Sequence, residues 1–212
     1  DDLAKMIDFV VQRYPEKPLA PIGFSLSGNV LLKYLGEGRK VPANIPGALA
    51  VNPPIDLRIA SDIISRKWSC ALFNNYYMRL IRNQAVALVK QFPLALNPLK
   101  NLKTIWDFDV SYTAPAGGFK DVDDYYDRSS SKHFLQGIKM PTSILSAEDD
   151  PFVPGYLFDQ VAMSEKVALH KPDKGGHMGY ISRHATPHGD RRWMDYAVLE
   201  WIRELHVAGG NP

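Results

Sequence analysis

Apolar residues in this chain come in two patterns, short unbroken runs closed by glycine or proline and longer stretches at helical spacing. Leu3, Met6, Ile7 and Val10 recur every three or four residues, which predicts an amphipathic helix running to about Tyr14 and stopping before Pro15. The run from Leu19 to Phe24 is short enough for a buried strand, and Val30 to Leu35 reads as a helix closed by Gly36 and Gly38. Further strands are expected at 47–52, which stops at Pro53-Pro54, at 142–147 and at 167–170, with a helix around Gly155 to Met163 between the last two. The final periodic run, Trp193, Met194, Ala197, Val198, Trp201, Ile202 and Leu205, carries a wide apolar stripe suited to docking on a sheet. Strands that alternate with helices predict an α/β fold with a mostly parallel sheet and helices on both faces.

One stretch breaks the alternation. From about Asp56 to Met140 the patterning is helical, with Phe73, Tyr76, Tyr77, Leu80, Ile81, Ala87 and Leu88 on one helix and Leu102, Ile105, Trp106 and Phe108 on another. Inserted between two strands, such a segment is expected over the strands' carboxyl ends as a helical lid, where open α/β sheets bind ligands. The competing expectation makes these aromatics the packing residues of an extra helical layer.

Composition narrows the classes of function. The 212 residues suit one domain, and 45% hydrophobic with 23% charged residues is the balance of an ordinary globular chain. Lys+Arg 25 against Asp+Glu 23 leaves a formal charge of +2, too even to suggest nucleic acid or a polybasic membrane anchor. The single cysteine, Cys70, cannot form an internal disulfide, which fits a reducing, cytoplasmic compartment. The chain starts without methionine inside what reads as a capped helix, Asp1-Asp2-Leu3-Ala4-Lys5. Such a start is expected of a piece of a longer protein, whose upstream part is free to hold a targeting or membrane segment.

Chemistry enters at Gly23-Phe24-Ser25-Leu26-Ser27-Gly28, where a serine stands two residues after a glycine, between an apolar strand and a helix. That context is a nucleophile elbow: the turn tolerates small neighbours and lifts the serine hydroxyl above the sheet edge. A hydroxyl needs a base, and the base needs an orienting acid. Chain order in this class of site is serine, acid, histidine. Glu148-Asp149-Asp150 follows the strand at 142–147, and His177, flanked by Gly175-Gly176 and Gly179, follows the next. His184 and His188 stand four apart, but Pro187 and Gly189 argue against a helix and nothing nearby completes a metal site, so no metal is expected. The acids at 121–127 lack the glycine of a calcium loop, and no phosphate-binding or dinucleotide fingerprint occurs, so no cofactor is expected.

The block from Gly23 to Glu37 (GFSLSGNVLLKYLGE), together with Ala147-Glu148-Asp149-Asp150-Pro151-Phe152 and Gly175-Gly176-His177-Met178-Gly179, resembles the YheT-like α/β-hydrolases over nearly the whole chain. The resemblance implies an α/β-hydrolase fold over 1–212 with a helical lid at about 56–140, and further sheet strands upstream of this sequence. It implies a serine esterase or lipase that cleaves carboxylic esters of acyl-chain or lipid-like type. By the same resemblance Ser25 is the nucleophile, His177 the general base and one of Asp149 or Asp150 the acid. Asp150 is favoured because one residue separates it from an apolar one, Phe152. The backbone N–H of Leu26 is the one oxyanion donor traceable here, its partner lying in an upstream loop. Ser27 stands where the family has glycine, a departure that points to slower or strained chemistry. The expected partner is a small-molecule or lipid-like ester, with membrane-surface association and oligomeric state left open. Two alternatives are a catalytically weak scaffold that binds a ligand or partner, and a serine peptidase.

Overall fold

A computed structural model describes residues 2–91 and 102–209, with the backbone alone at 86–91 and 206–209. Asp1, residues 92–101 of the expected insertion, and the side chains of Ala87 and Leu88 therefore lie outside the described part. The chain divides into two compact units, one formed by 2–55 with 131–209 and the other by Asp56–Ser130.

In the first unit β1 (Ile22–Phe24), β2 (Ala48–Val51), β3 (Thr142–Leu145) and β4 (Val167–His170) form a parallel sheet in the order β1-β2-β3-β4. The register pairs Phe24 with Val51, Val51 with Leu145 and Leu145 with His170, so all four strands end level. Whatever follows each strand is delivered to one row. Strand alternation then assigns the faces of the sheet. Leu49, Val51, Leu145 and Ala147 pack with Met194, Val198 and Trp201 of α8 (Trp193–Gly209), and the Trp201 indole N–H donates to Ser143 Oγ at 3.0 Å. Ala50 points to the opposite face, toward Gly28 of α2 (Leu26–Gly36), which buries Leu31, Leu32, Tyr34 and Leu35. Each of these leucines contributes about 1.5–3 kcal/mol of burial. Helix α1 (Asp2–Arg13) packs beside α2 and buries Ile7, while Met6 and Phe9 stay exposed.

Two expectations are corrected here. In place of a helix over Gly155 to Met163 there is a single 3-10 turn, Gly155–Phe158. Its adjacent residues Leu157 and Phe158 are both buried, which satisfies a tight turn and leaves no apolar stripe to extend. Residues 131–140, read from sequence as part of the insertion, pack with the sheet unit: Ser131 N–H donates to the buried Asn29 Oδ1 at 2.8 Å and Lys132 N–H to Ile55 O at 3.0 Å.

The second unit is helical. Asp56 caps α3 (Leu57–Arg66) by accepting the Ile59 N–H. Then come α4 (Ala71–Gln91), the short α5 (Ile105–Phe108) with its Thr104–Asp107 capping box, a π turn at Asp109–Thr113, α6 (Ala114–Ala116) and α7 (Val122–Ser129), capped by Asp121. Leu57, Ala114, Val122 and Tyr126 form its core, with Trp106, Phe119 and Tyr125 against them. The Arg58 guanidinium lies 4.2 Å and that of Arg66 5.4 Å from the Trp106 ring centre, so this tryptophan is packing for its own unit. Inside the same unit Asp109 accepts from Thr113 Oγ1 and from the Tyr126 hydroxyl, each at 2.7 Å. Burial pushes the Asp109 carboxyl above its usual value and, with Asp109 nearby, the Tyr125 phenol up to about 12.

Candidate active site

The sharp turn after β1 is forced by what surrounds it. A methyl at Gly23 would stand 2.6 Å from both Gly28 Cα and the Ser27 carbonyl oxygen, so only a residue without Cβ fits. Ser25 N–H donates to Val51 O at 2.8 Å, and Ser25 itself adopts φ 51°, ψ −123°. For a residue with a side chain that conformation costs about 1–3 kcal/mol. The helix that follows offsets the cost, since Gly28 N–H and Asn29 N–H close its first turn on Ser25 O. Leu26 opens α2, so its N–H belongs to the first turn, whose donors have no partner within the helix.

Ser27, which stands where the resembled family has glycine, has a local use. Its hydroxyl donates to Phe24 O at 2.8 Å and accepts from Phe24 N–H at 2.9 Å. Those two backbone groups point away from β2, because the neighbouring Gly23 and Ser25 positions supply the ladder on that side. The added hydroxyl therefore satisfies the last outward-facing pair of β1 and braces the elbow.

The row at the strand ends brings the sequence candidates together. Ser25 Oγ lies 2.9 Å from His177 Nε2, and His177 Nδ1 lies 2.7 Å from Asp150 Oδ2. A buried carboxylate accepts, so Nδ1 carries the proton and donates to Asp150, leaving Nε2 to accept the Ser25 hydroxyl proton. The Asp150 side chain is fully buried and the His177 side chain 9% exposed. Asp150 Oδ1 accepts from Phe152 N–H at 2.8 Å and Val153 N–H at 3.0 Å, which fixes the carboxylate plane. The Phe152 ring meets the imidazole edge-on, with centres 4.8 Å apart.

The neighbouring acids part company. Asp149 turns away from His177 and accepts from both Gly175 N–H and Gly176 N–H at 2.8 Å, pinning the loop that carries the histidine. The Gly176 bond leads in holding its carboxyl below the usual value. That loop is compact, with positive φ at Gly176, Met178 and Tyr180 and with Gly179 N–H and Tyr180 N–H both donating to Gly175 O. A side chain at Gly175 would collide with the Tyr180 ring.

Two members of this cluster escaped the sequence reading. Asn52, fully buried and at φ 45°, follows β2 directly. Its amide donates to Asp150 Oδ2 and to Gly176 O, and its Oδ1 accepts the Tyr180 hydroxyl at 2.5 Å. Burial raises the Tyr180 phenol, which stays a donor at neutral pH. The available signal was position: a polar residue directly after a buried strand of an open α/β sheet stands where such sheets bind ligands. Each of the four strands thus delivers one polar side chain to the row, Ser25, Asn52, Asp150 and His177. Among the described residues no cluster of three His, Cys, Asp or Glu side chains has the arrangement of a metal site.

No family model matches the chain. It is 30% identical over 216 residues to a monoacylglycerol lipase of Saccharomyces cerevisiae, covering 97% of this chain and 47% of that protein. It is 27% identical over 208 residues to Escherichia coli YheT, covering 95% and 60% respectively. The chain thus spans about half the length of the curated relatives it matches. Among solved structures an esterase of Pyrococcus furiosus superposes with a TM-score of 0.50 at 17% identity, covering 98% of this chain and 60% of that one. This last likeness bears on the fold alone.

Proposed function

We propose, from the premise that the chain is a YheT-like α/β-hydrolase, that it carries the site of a carboxylic ester hydrolase. The observation that supports this reading most is the hydrogen-bonded line from Ser25 Oγ through His177 to Asp150, at 2.9 and 2.7 Å. Ser25 attacks the acyl carbonyl while His177 Nε2 takes its proton. Asp150 stabilises the imidazolium that forms, and the Leu26 N–H donates to the developing oxyanion. His177 then returns the proton to the departing alkoxide, which leaves as the alcohol. Water, deprotonated by the same nitrogen, attacks the acyl-serine, and the carboxylic acid departs as Ser25 regains its proton. The strained elbow suits this sequence because it holds the oxygen in place before substrate arrives.

The acyl group is proposed to be a chain of lipid type, in keeping with the yeast relative named a monoacylglycerol lipase. Each buried CH₂ adds about 0.8 kcal/mol, close to a fourfold gain per carbon until the binding region is full. A series of p-nitrophenyl esters tests both levels. Rising kcat/KM from acetate to octanoate, lost in Ser25→Ala, is the expected result. A profile that peaks at acetate removes the lipid-like substrate and keeps the esterase, whereas full activity in Ser25→Ala removes the nucleophile.

A further inference from the structure

Helix α4 has two apolar faces, and its own unit uses one. Asn74, Met78 and Ala85 are buried, continuing from the buried Cys70. Trp68, just before the helix, and Leu72, Tyr76 and Leu80 follow at four-residue steps on the other side, with exposures of 88, 82, 52 and 39%. An aromatic and leucine stripe left in water on a soluble unit marks a contact surface more often than an accident.

Charge says what kind of surface. From Ile63 to Trp106 the sequence carries seven lysines and arginines, Arg66 first and Lys103 last, and no aspartate or glutamate. The stretch is bounded by Asp62, which pairs with Arg66, and by Asp107, and residues 56–130 together carry ten lysines and arginines against eight aspartates, so the cations of this unit are concentrated along the stretch that holds the stripe. Lys67 adjoins Trp68, and Arg79 falls two turns beyond Leu72 on the same side of the helix; both are exposed. A stripe of tryptophan, tyrosine and leucine edged by cations is the pattern of a helix lying in a lipid headgroup layer. No helix among the described residues is long and apolar enough to cross a membrane, so the stripe would lie along a surface.

We infer that the α4 face bearing Leu72, Tyr76 and Leu80, together with Trp68 just before the helix, docks on an anionic lipid surface, with Lys67 and Arg79 meeting the headgroups. This goes beyond ester hydrolysis and does not depend on it. Each cation near such a surface strengthens partition about fivefold, and the attraction falls with salt.

The test is co-sedimentation of the full chain with vesicles of phosphatidylcholine alone or mixed with phosphatidylserine, at low and high salt, with sedimentation velocity on the free protein. Binding to the mixed vesicles, weakened by salt, is expected. Lys67→Gln and Arg79→Gln should each reduce it about fivefold, and Trp68→Ser with Leu72→Ser roughly tenfold or more. These surface changes should leave the circular dichroism spectrum unaltered. Equal binding to neutral and anionic vesicles, binding unmoved by all four substitutions, or no binding at all overturns the inference. So does a self-associated chain that Trp68→Ser converts to monomer, since the stripe would then be covered by a second copy.

Discussion

Asn52 and His177 donate to the same atom. The Asn52 amide and the His177 Nδ1–H converge on Asp150 Oδ2, and the Asn52 side chain also holds Gly176 O and the Tyr180 hydroxyl, so one buried amide ties the acid to the loop bearing the histidine. Asn52→Ala leaves Tyr180 and Gly176 without that partner, at about 1–3 kcal/mol in stability. A loss of about 1.4 kcal/mol in orienting the imidazole would lower kcat tenfold. Tyr180→Phe, which leaves the amide in place, should cost less in kcat. Chemical unfolding beside ester turnover checks both; equal kcat in Asn52→Ala and the parent chain would make Asn52 a structural residue only.

Asp149 and Asp150, adjacent in sequence, should respond differently to the same change. Asp150→Asn removes the acceptor that sets the His177 tautomer, an effect of about 10⁴ in kcat in sites of this geometry. Asp149→Asn loosens the Gly175–Gly176 loop and should reduce kcat far less. The lowered Asp149 carboxyl also has a pH signature. Its contribution to stability is present above the ordinary carboxyl value and is lost as pH falls through the lower, folded value. The melting temperature of Asp149→Asn should therefore converge on that of the parent chain in acid, read by thermal scans between pH 7 and pH 3.

Asp109 in the helical unit carries the opposite sign. Burial raises its carboxyl, so folding favours the protonated form and the residue becomes a liability as pH climbs through the folded value. Asp109→Asn keeps an acceptor for Thr113 and removes the buried charge. At neutral pH it should raise the melting temperature by about 2–4 °C, with the difference shrinking toward pH 4. A variant that is less stable at every pH would show that the Tyr126 hydrogen bond outweighs the burial of charge.

At the elbow, a methyl on Gly23 meets backbone on two sides, and backbone cannot swing aside as a side chain does. Gly23→Ala should cost about 1–3 kcal/mol or more and abolish turnover. Ser27→Ala removes both bonds to Phe24, lowering stability by about 1 kcal/mol. Ser27→Gly loses the same bonds and restores the family motif, so any difference in kcat between parent and glycine variant measures what the serine costs in rate.

Much of this was legible in the sequence for identifiable reasons. Glycines at 23 and 28 around a serine between strand and helix announced the turn, and the buried run at 48–51 announced its neighbour, because each pattern has few other physical solutions. Asn52 was not legible, since its role depends on a register that brings four strand ends level. The faces of α4 were not legible either: Phe73, Tyr76 and Leu80 share a helical stripe that reads as core, yet they are exposed while Asn74 is buried and holds Lys103 O. Periodicity finds an apolar stripe but does not say which of two stripes is covered.

The direct measurement is the site and extent of covalent capture. A fluorophosphonate reacts with a serine oxygen that a neighbouring base has activated, displacing fluoride and forming a stable phosphonyl ester. Intact mass followed by peptide mapping should show one adduct, on Ser25, formed in the parent chain and greatly slowed in both His177→Ala and Asp150→Asn. An adduct on another serine, or labelling of Ser25 at the same rate in His177→Ala, would contradict an activated Ser25–His177–Asp150 line.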